Sequence, residues 1–232
     1  MRFLLLILLW TLHGCNTGSH AEPYASLTRD EEARAALDAL DYETAIEIYK
    51  ELIEAEPESY ERYRYLSAAY AAAAGFDIIE VAKSDVSGAS GSLLDVLGTF
   101  LPADPSAEQL ESIALAKDIL LSIPAELRSK DNTEVEYASG AATQLEFYQS
   151  AYSIMYINRF AQITPTGTLD PERLASMTDE DVTNILANFS QVAATGGEGV
   201  PAAAEKVLVQ IDQQEGATQK EKLINFLNAN KK

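Results

Sequence analysis

The chain has 232 residues and a formal net charge of −19, because 36 acidic residues outnumber 17 basic ones. A surface of that charge disfavours nucleic-acid binding, which depends on basic residues that release counterions from the phosphates. The length allows one well-buried core, and the abundance of Ala, Leu and Glu is typical of a helical protein. The acidic excess either keeps the protein soluble or forms a face for a basic partner or for cations.

The first segment, residues 1–14, has the pattern of a secretory signal peptide. Arg2 supplies the charged start, and Phe3–Leu12 is an apolar run too short to span a bilayer as a helix. The segment ends in Leu-His-Gly and is followed by Cys15, the single cysteine of the chain. This pattern resembles the lipobox of bacterial lipoproteins, which implies that Cys15 becomes a lipidated N-terminus. An ordinary secretory signal or a membrane anchor is the alternative.

The lipobox resemblance also predicts where the protein resides. Residues 15–27 would be the lipidated cysteine and a polar, flexible tether, and several acyl chains would give durable anchoring. Asn16, rather than Asp, follows the cysteine, and by the same resemblance this favours the periplasmic face of the outer membrane. The expected location is therefore the bacterial cell envelope, with the membrane as a partner through the lipid anchor.

After the tether, residues 28–232 are predicted to form one all-helical domain. Its clearest element is Tyr42–Ala55, where apolar residues recur with the three- and four-residue spacing of an amphipathic helix. Asp41 is the predicted N-cap of this helix, and Pro57 prevents its continuation. Ser59 can cap the next helix.

The two helices around Pro57 share residues of one repeat pattern. They are Ala45, Tyr49 and Pro57 for the first helix and Tyr63, Leu66, Ser67 and Tyr70 for the second. The pattern resembles the tetratricopeptide repeat (TPR), in which small residues let paired helices approach and aromatic residues fill the groove between them. The resemblance is clearest over residues 33–79. It implies an all-α fold of antiparallel helix pairs, either a TPR-like α-solenoid or a compact helical bundle with diverged repeats.

By the same resemblance, a binding groove would lie on the first helix of each repeat. The helix predicted over Arg29–Leu40 would contribute Arg34 and Leu37. The groove residues expected on the helix after Pro57 are Glu61, Arg64, Ala68, Ala71 and Ala72. Arg64 would pair with a peptide carboxylate, and the three alanines would leave room for a bound segment. The alternative is that these alanines simply pack against the next helix.

The middle of the chain differs in character from the repeat region. Leu93–Leu101 is strongly apolar for its length and is expected to pack beneath the repeat helices or to touch the membrane. Ser106 is the predicted cap of the helix that follows, and Thr178 begins another capped first turn. A final helix pair is predicted over residues 202–213 and 217–229.

The longest helix is predicted to begin at Asn132 or Thr133 and to run to about Ala161. Aromatic residues recur along it, mostly three or four positions apart, and these are Tyr137, Tyr148, Tyr152, Tyr156 and Phe160. They form either the core-packing face of a central helix or a ladder on which a ligand stacks.

Residues suited to catalysis or metal binding are scarce. The two histidines, His13 and His20, lie in the signal segment and the tether. The predicted domain therefore contains no His or Cys for a catalytic triad, a zinc site or haem ligation. Acidic residues are abundant, but no pair and no EF-hand spacing stands out. The glycine-rich stretch 196–199 lacks the Lys-Ser/Thr of a phosphate loop. We expect no enzymatic activity, no metal and no cofactor.

Two functions from different classes fit these observations. The first is a membrane-anchored, TPR-like adaptor or scaffold that binds an envelope protein or peptide in the periplasm. The alternative is a small-molecule-binding accessory of a periplasmic uptake system, which resembles the T component of TRAP transporters. In that case the Ala-rich helix, Leu93–Leu101 and the aromatic long helix would enclose a hydrophobic small molecule. A structural envelope protein without a discrete ligand is a third interpretation.

Cleavage before Cys15 can be tested through Trp10, the single tryptophan of the chain. Because Trp10 lies in the predicted signal segment, the processed protein should show no tryptophan fluorescence. Emission spectra of protein extracted from membranes measure this directly. The control is Cys15→Ala, which blocks lipidation and should therefore retain the signal segment and its emission. Tryptophan emission from wild-type membrane protein would contradict the cleavage.

Overall fold

The architecture is all-α, as the sequence predicts. The computed structural model describes residues 27–76, 81, 97–162 and 169–230. Within these ranges, extended structure is limited to a one-residue bridge at Leu169. The described helical elements are α1 (Arg29–Asp38), α2 (Tyr42–Ala55), α3 (Tyr60–Ala73), α4 (Ala107–Leu121), a 3₁₀ turn (Ala125–Arg128), α5 (Ala138–Phe160), α6 (Pro171–Ser176), α7 (Asp179–Ala194), α8 (Val200–Asp212) and α9 (Gln219–Asn230).

Side-chain caps define the starts of several helices. Thr28, Ser106 and Thr178 each accept a hydrogen bond from the backbone N–H three residues on, and the side chain of that residue bonds back to the cap residue's N–H. Each cap of this kind contributes about 1 kcal/mol. Asp41 caps α2 in the predicted way. Ser59 stands at the N-cap of α3 but makes no side-chain hydrogen bond there.

The final helix pair, predicted at 202–213 and 217–229, is observed with each end displaced by one or two residues, and two other boundaries differ from the sequence prediction for identifiable local reasons. α1 ends at Asp38 rather than Leu40, because Leu40 has a φ of 61° and belongs to the tight turn into α2. The longest helix, α5, begins at Ala138 rather than at Asn132 or Thr133. The Asn132 side chain instead accepts hydrogen bonds from the N–H groups two and three residues on. This turn competes with helix initiation.

Consecutive long helices pack against each other along the chain. Arg29 at the start of α1 pairs with Glu51 near the end of α2 at 2.5 Å, so these helices run antiparallel. Asn158, near the end of α5, donates to the carbonyl of Pro102, just before α4, so this pair is antiparallel too. Weaker contacts join alternate helices, namely α3 with α5, α5 with α8 and α7 with α9. This order is that of helix pairs stacked side by side.

Arg62 of α3 ties the first three helices together. Its Nε and Nη2 donate to the two carboxylate oxygens of Asp30 in α1, at 3.1 and 2.9 Å. Its Nη1 donates to the carbonyl of Leu52 in α2 and to the carboxylate of Glu56, at 3.1 and 2.9 Å. The Arg62 side chain is 15% exposed, so its bonds to Asp30 and to the Leu52 carbonyl are better shielded from water and salt than those of a surface pair, whereas Glu56 is exposed.

Two buried clusters hold the helices together. The smaller cluster lies among α1, α2 and α3 and contains Ala33, Ile48, Tyr49 and Leu66. The larger cluster extends from α3 to α9. Tyr70 of α3 packs against both clusters, so they form one continuous interior rather than two separate ones.

α5 is the central helix of the larger cluster. It packs most extensively against α4 and α7, and it also touches α3, α6 and α8. Tyr148, Tyr152 and Phe160 on this helix are buried. Phe76 meets the Tyr148 ring edge-on, with 5.9 Å between the ring centres. These contacts favour the core-packing interpretation of the aromatic residues over a ligand ladder.

Several predicted features lie outside the described residues. They are the signal segment 1–14, Cys15, most of the tether, and the greater part of the apolar run Leu93–Leu101. The described leucines of that run, Leu97 and Leu101, are buried in the larger cluster. None of the described helices is long and apolar enough to cross a bilayer.

The shielding of Arg62 leads to a stability prediction. Arg62→Ala should lower the unfolding free energy by about 2 kcal/mol, because its partners in α1 and α2 lose a charged donor in a shielded place. The matched control is Arg29→Ala, because the Arg29 side chain, which also pairs with two carboxylates, is 49% exposed, compared with 15% for Arg62. This control should have a much smaller effect. Urea unfolding followed by circular dichroism measures both, and equal losses would contradict the role of Arg62.

Candidate functional site

Predicted groove residues of α1 and α3 meet around Tyr65. The guanidinium of Arg34, on α1, lies over the Tyr65 ring, with Cζ 4.8 Å from the ring centre. The Tyr65 hydroxyl donates to the Glu61 carboxylate at 3.2 Å. The same ring stacks against Tyr49 of α2, with 5.7 Å between the centres and 14° between the planes. Three helices therefore determine where Arg34 and Glu61 lie.

Arg64 makes a similar crossing, from α3 to α5. Its Nε donates to Oε1 of Gln144 at 2.8 Å. The guanidinium lies against Gly140, where a Cβ would come within 2.6 Å of Arg64 Nη2. Glycine inside a helix costs about 1 kcal/mol relative to alanine. Here it makes room for the arginine.

These residues form one surface, which we call the alternate-helix strip because it runs over α1, α3 and α5. Its members are Arg34, Glu61, Arg64, Tyr65 and Gln144. Arg34 is exposed and Arg64 is half-buried. Among the described residues, neither arginine has a carboxylate oxygen within 4.0 Å. The strip therefore presents two arginines without a direct carboxylate partner, beside the single carboxylate of Glu61, in a protein whose net charge is −19.

The other predicted groove residues lie elsewhere. Leu37 packs partly against the smaller cluster. Ala71 is 1% exposed and belongs to the larger cluster, whereas Ala68 and Ala72 are half-buried. The buried hydroxyl of Ser67 donates to a backbone carbonyl of α4 at 2.7 Å, so α4 covers this side of α3. This corrects the predicted groove: Ala71 packs in the core, as the alternative interpretation held, and does not line an open surface.

Sequence reasoning missed Tyr65, Gly140 and Gln144. Tyr65 lies four residues after Glu61, a spacing that places both on one helix face. Gly140 carries the stronger signal, because a glycine within a helical pattern usually has a packing reason. Nothing in the sequence says which helix approaches Gly140, so the contact with Arg64 could not be derived.

The hydroxyl of Tyr49 lies beneath the strip and is fully buried. No described residue lies within hydrogen-bonding distance and angle of it, although the Arg34 guanidinium is near enough to interact with it electrostatically. Burial raises the pKa of Tyr49 to about 12, although the nearby Arg34 guanidinium acts in the opposite direction. A buried hydroxyl without a partner is destabilising. Tyr49 therefore contributes to stability through its ring, which packs against the ring of Tyr65.

The chemistry available at the strip is recognition rather than catalysis. Guanidinium groups donate to carboxylates in bidentate geometry, and an aromatic ring beneath the group limits its motion. In the part of the chain that the structure describes, no group of three or more His, Cys, Asp or Glu side chains is placed to hold a metal ion. Cys15 lies outside that part.

Comparison of the chain with protein-family models, with curated proteins and with solved structures found no match. Function is therefore inferred from the residues and geometry of this chain alone.

The state of the Tyr49 hydroxyl can be tested by a pair of substitutions. Tyr49→Phe should leave the unfolding free energy unchanged or raise it by up to about 1 kcal/mol, because it removes a buried hydroxyl that has no partner. The matched control is Tyr63→Phe. The Tyr63 hydroxyl donates to the Pro57 carbonyl at 3.0 Å, and losing that bond should cost about 0.5–1 kcal/mol. Urea unfolding compares the two variants.

Alkaline pH gives a second measurement on the same variant. Since the pKa of Tyr49 rises from 10.0 to about 12 on folding, the unfolded chain loses this proton first, and the unfolding free energy falls as the pH rises from 10 to 12. Tyr49→Phe should show a shallower fall than wild type. Equal slopes, or a loss on Tyr49→Phe as large as that on Tyr63→Phe, would contradict the assigned state of the hydroxyl.

Proposed function

We propose that the protein is a lipid-anchored, TPR-like adaptor of the bacterial cell envelope, and that the alternate-helix strip binds a peptide segment of a partner protein. The observation that carries the proposal is the pair of arginines, Arg34 and Arg64. Each reaches from its own helix onto the next but one, over Tyr65 and Gly140 respectively. Both lack a carboxylate partner among the described residues.

The chemistry of the strip favours a peptide over other anionic partners. Stacking on Tyr65 occupies one face of the Arg34 guanidinium, and the N–H groups at its edge stay available for a carboxylate. The Glu61 carboxylate lies at the hydroxyl of the Tyr65 ring that Arg34 covers, so a densely anionic ligand such as nucleic acid is repelled. A peptide that offers one carboxylate and several backbone N–H groups satisfies both side chains.

Arg34 is the better candidate for the decisive contact, although the sequence singled out Arg64. The Nε of Arg64 is already bonded to Gln144. Replacing Arg64 would therefore disturb the packing of α3 against α5 as well as any ligand contact. Arg34 is exposed, and its ring contact contributes only about 0.5–1 kcal/mol to stability.

The proposed location rests on the lipobox-like Leu-His-Gly-Cys, with Cys15 as the lipid attachment site. A tether over residues 16–27 would reach at most about 40 Å when fully extended. The strip would then sample partners close to the membrane surface, either membrane proteins or periplasmic proteins brought to them. This is the position that an adaptor requires.

The uptake-accessory alternative has less support from packing. It needs the Ala-rich α3, the Leu93–Leu101 run and α5 to surround a hydrophobic ligand. Their described residues Ala71, Leu97 and Tyr148 are instead buried in one cluster. Those side chains contact neighbouring core residues and are not available to line a ligand site.

Photocrosslinking in the native cell tests the adaptor proposal. A photoreactive phenylalanine analogue replaces Glu61, which removes the carboxylate of the strip but leaves in place both arginines, on which binding of the peptide carboxylate depends; the control position is Glu205, an exposed acidic residue of α8. Position 61 should give a discrete crosslinked partner, and adding Arg34→Glu should abolish it because the new carboxylate repels that of the peptide. The crosslinked species are resolved on gels and identified by mass spectrometry.

The fold of the Arg34→Glu protein is checked by circular dichroism, which should match wild type. Three results would count against the strip as the binding surface. They are the absence of any crosslink from position 61, the same crosslinks from position 205, and crosslinks that persist in the Arg34→Glu protein.

A further inference from the structure

A polar cavity of about 370 Å³ lies between the 3₁₀ turn, the first half of α5 and the end of α7. Its lining includes Arg128 and Lys130 from the turn region, Glu146 and Gln149 from α5, and Thr195 just after α7. The volume falls within the range of about 300–1,000 Å³ that small-molecule sites occupy. The cavity shares no lining residue with the alternate-helix strip.

The cavity wall contains a buried carboxylate, Glu146, which is 4% exposed. Lys130 Nζ lies 2.6 Å from Glu146 Oε1, and the Thr195 hydroxyl donates to the same oxygen at 2.8 Å. A buried ion pair is often no more stabilising than well-packed apolar side chains of similar volume. The pair is therefore weak evidence for a purely structural role, and a carboxylate in a cavity wall is suited to recognising a cationic group.

Gln149 extends the polar wall by one helical turn. It is 3% exposed, and its Nε2 donates to Oε1 of Gln191 on α7. This bond holds the Gln149 side chain at the wall. Because Glu146 and Gln149 are three residues apart, they lie on the same face of α5 and can contact the same ligand.

Two cations line the cavity together with two carboxylates. Arg128 Nε donates to the carbonyl of Ile123 at 3.0 Å, which positions the guanidinium. No described carboxylate oxygen lies within 4.0 Å of that group. The Lys130 side chain is 43% exposed, so its ammonium is free to leave Glu146. Asp131 also lines the cavity, and the formal charges of the lining therefore balance.

We infer that this cavity binds a small zwitterion of the amino-acid class, whose ammonium pairs with Glu146 and whose carboxylate pairs with Arg128 and Lys130. The ammonium of the ligand takes the place of Lys130 at Glu146, and the released Lys130 joins Arg128 at the ligand carboxylate. The net charge in the cavity stays the same, so no buried charge is left without a partner. A ligand with a single charge makes only one of these two pairings, with Arg128 or with Glu146, and therefore binds more weakly than the zwitterion.

This site is independent of the proposed adaptor function, and its test uses the purified full-length protein in detergent. Thermal unfolding is recorded with each of the common amino acids in turn, and with propionate and ethylammonium as single-charge controls. At least one amino acid should raise the unfolding temperature, because a ligand of the folded state stabilises it, and each control should raise it less because it makes only one of the two charge pairings. Calorimetric titration then gives the Kd of the amino acid that binds.

Three variants test the assignment of charges. Glu146→Gln and Arg128→Gln should each weaken binding by about tenfold or more, which is the effect of losing one charge-assisted hydrogen bond. The matched control is Glu126→Gln, which removes an exposed carboxylate from the same turn, outside the cavity lining, and should keep the wild-type Kd. Circular dichroism establishes that each variant is folded.

The inference is overturned if no amino acid raises the unfolding temperature, or if propionate or ethylammonium raises it as much as the amino acid does. It is also overturned if Glu146→Gln binds as tightly as wild type. Should Glu146→Gln fail to fold, Arg128→Gln is judged by the same criterion. The Arg128 side chain lies on the turn rather than inside α5, so replacing it should leave the protein folded.

Discussion

The burial of α5 is the constraint on which the rest of the larger cluster depends. A helix with neighbours on most of its surface needs small residues wherever other helices approach, and it needs partners for any polar group that it buries. α5 meets both demands towards α7 through Ser153, whose hydroxyl donates to the Ile185 carbonyl at 3.0 Å. Large rings of the same helix, such as Tyr148, fill the remaining space. The positions of α4 and α7 follow from this one helix.

Both candidate sites use the first half of α5, on different sides. Successive residues of a helix are rotated by roughly 100°, so Gly140 and Gln144 share one face while Glu146 and Gln149 lie roughly opposite. The first face receives Arg64 from α3. The second forms the wall of the polar cavity next to α7. One buried helix therefore separates a surface suited to a peptide from a cavity suited to a small zwitterion.

The sequence predicts features that neighbouring residues determine. It does not predict contacts between residues that are distant in the chain. Asp41 and Ser106 are capping residues in the structure because a cap depends on three or four neighbouring residues. The sequence does not predict the late start of α5. The Asn132 side chain accepts hydrogen bonds from the N–H groups of nearby residues in a turn, and the periodicity of apolar residues does not show whether a turn or a helix forms there. For a different reason, the sequence does not decide whether Ala71 is buried or exposed. Helix spacing indicates an apolar face, but not which later helix covers it.

In an acidic protein, the basic residues that lack carboxylate partners are the informative ones. Carboxylates outnumber basic groups about two to one, so an arginine finds an acidic partner unless the fold keeps one away. Arg62 is surrounded by such partners and acts structurally. Arg34 is held instead over a ring and Arg128 by a backbone carbonyl, contacts that fix their positions without neutralising their charge. A positioned guanidinium without a direct carboxylate partner is suited to the recognition of a carboxylate, because the guanidinium is already oriented when the ligand arrives.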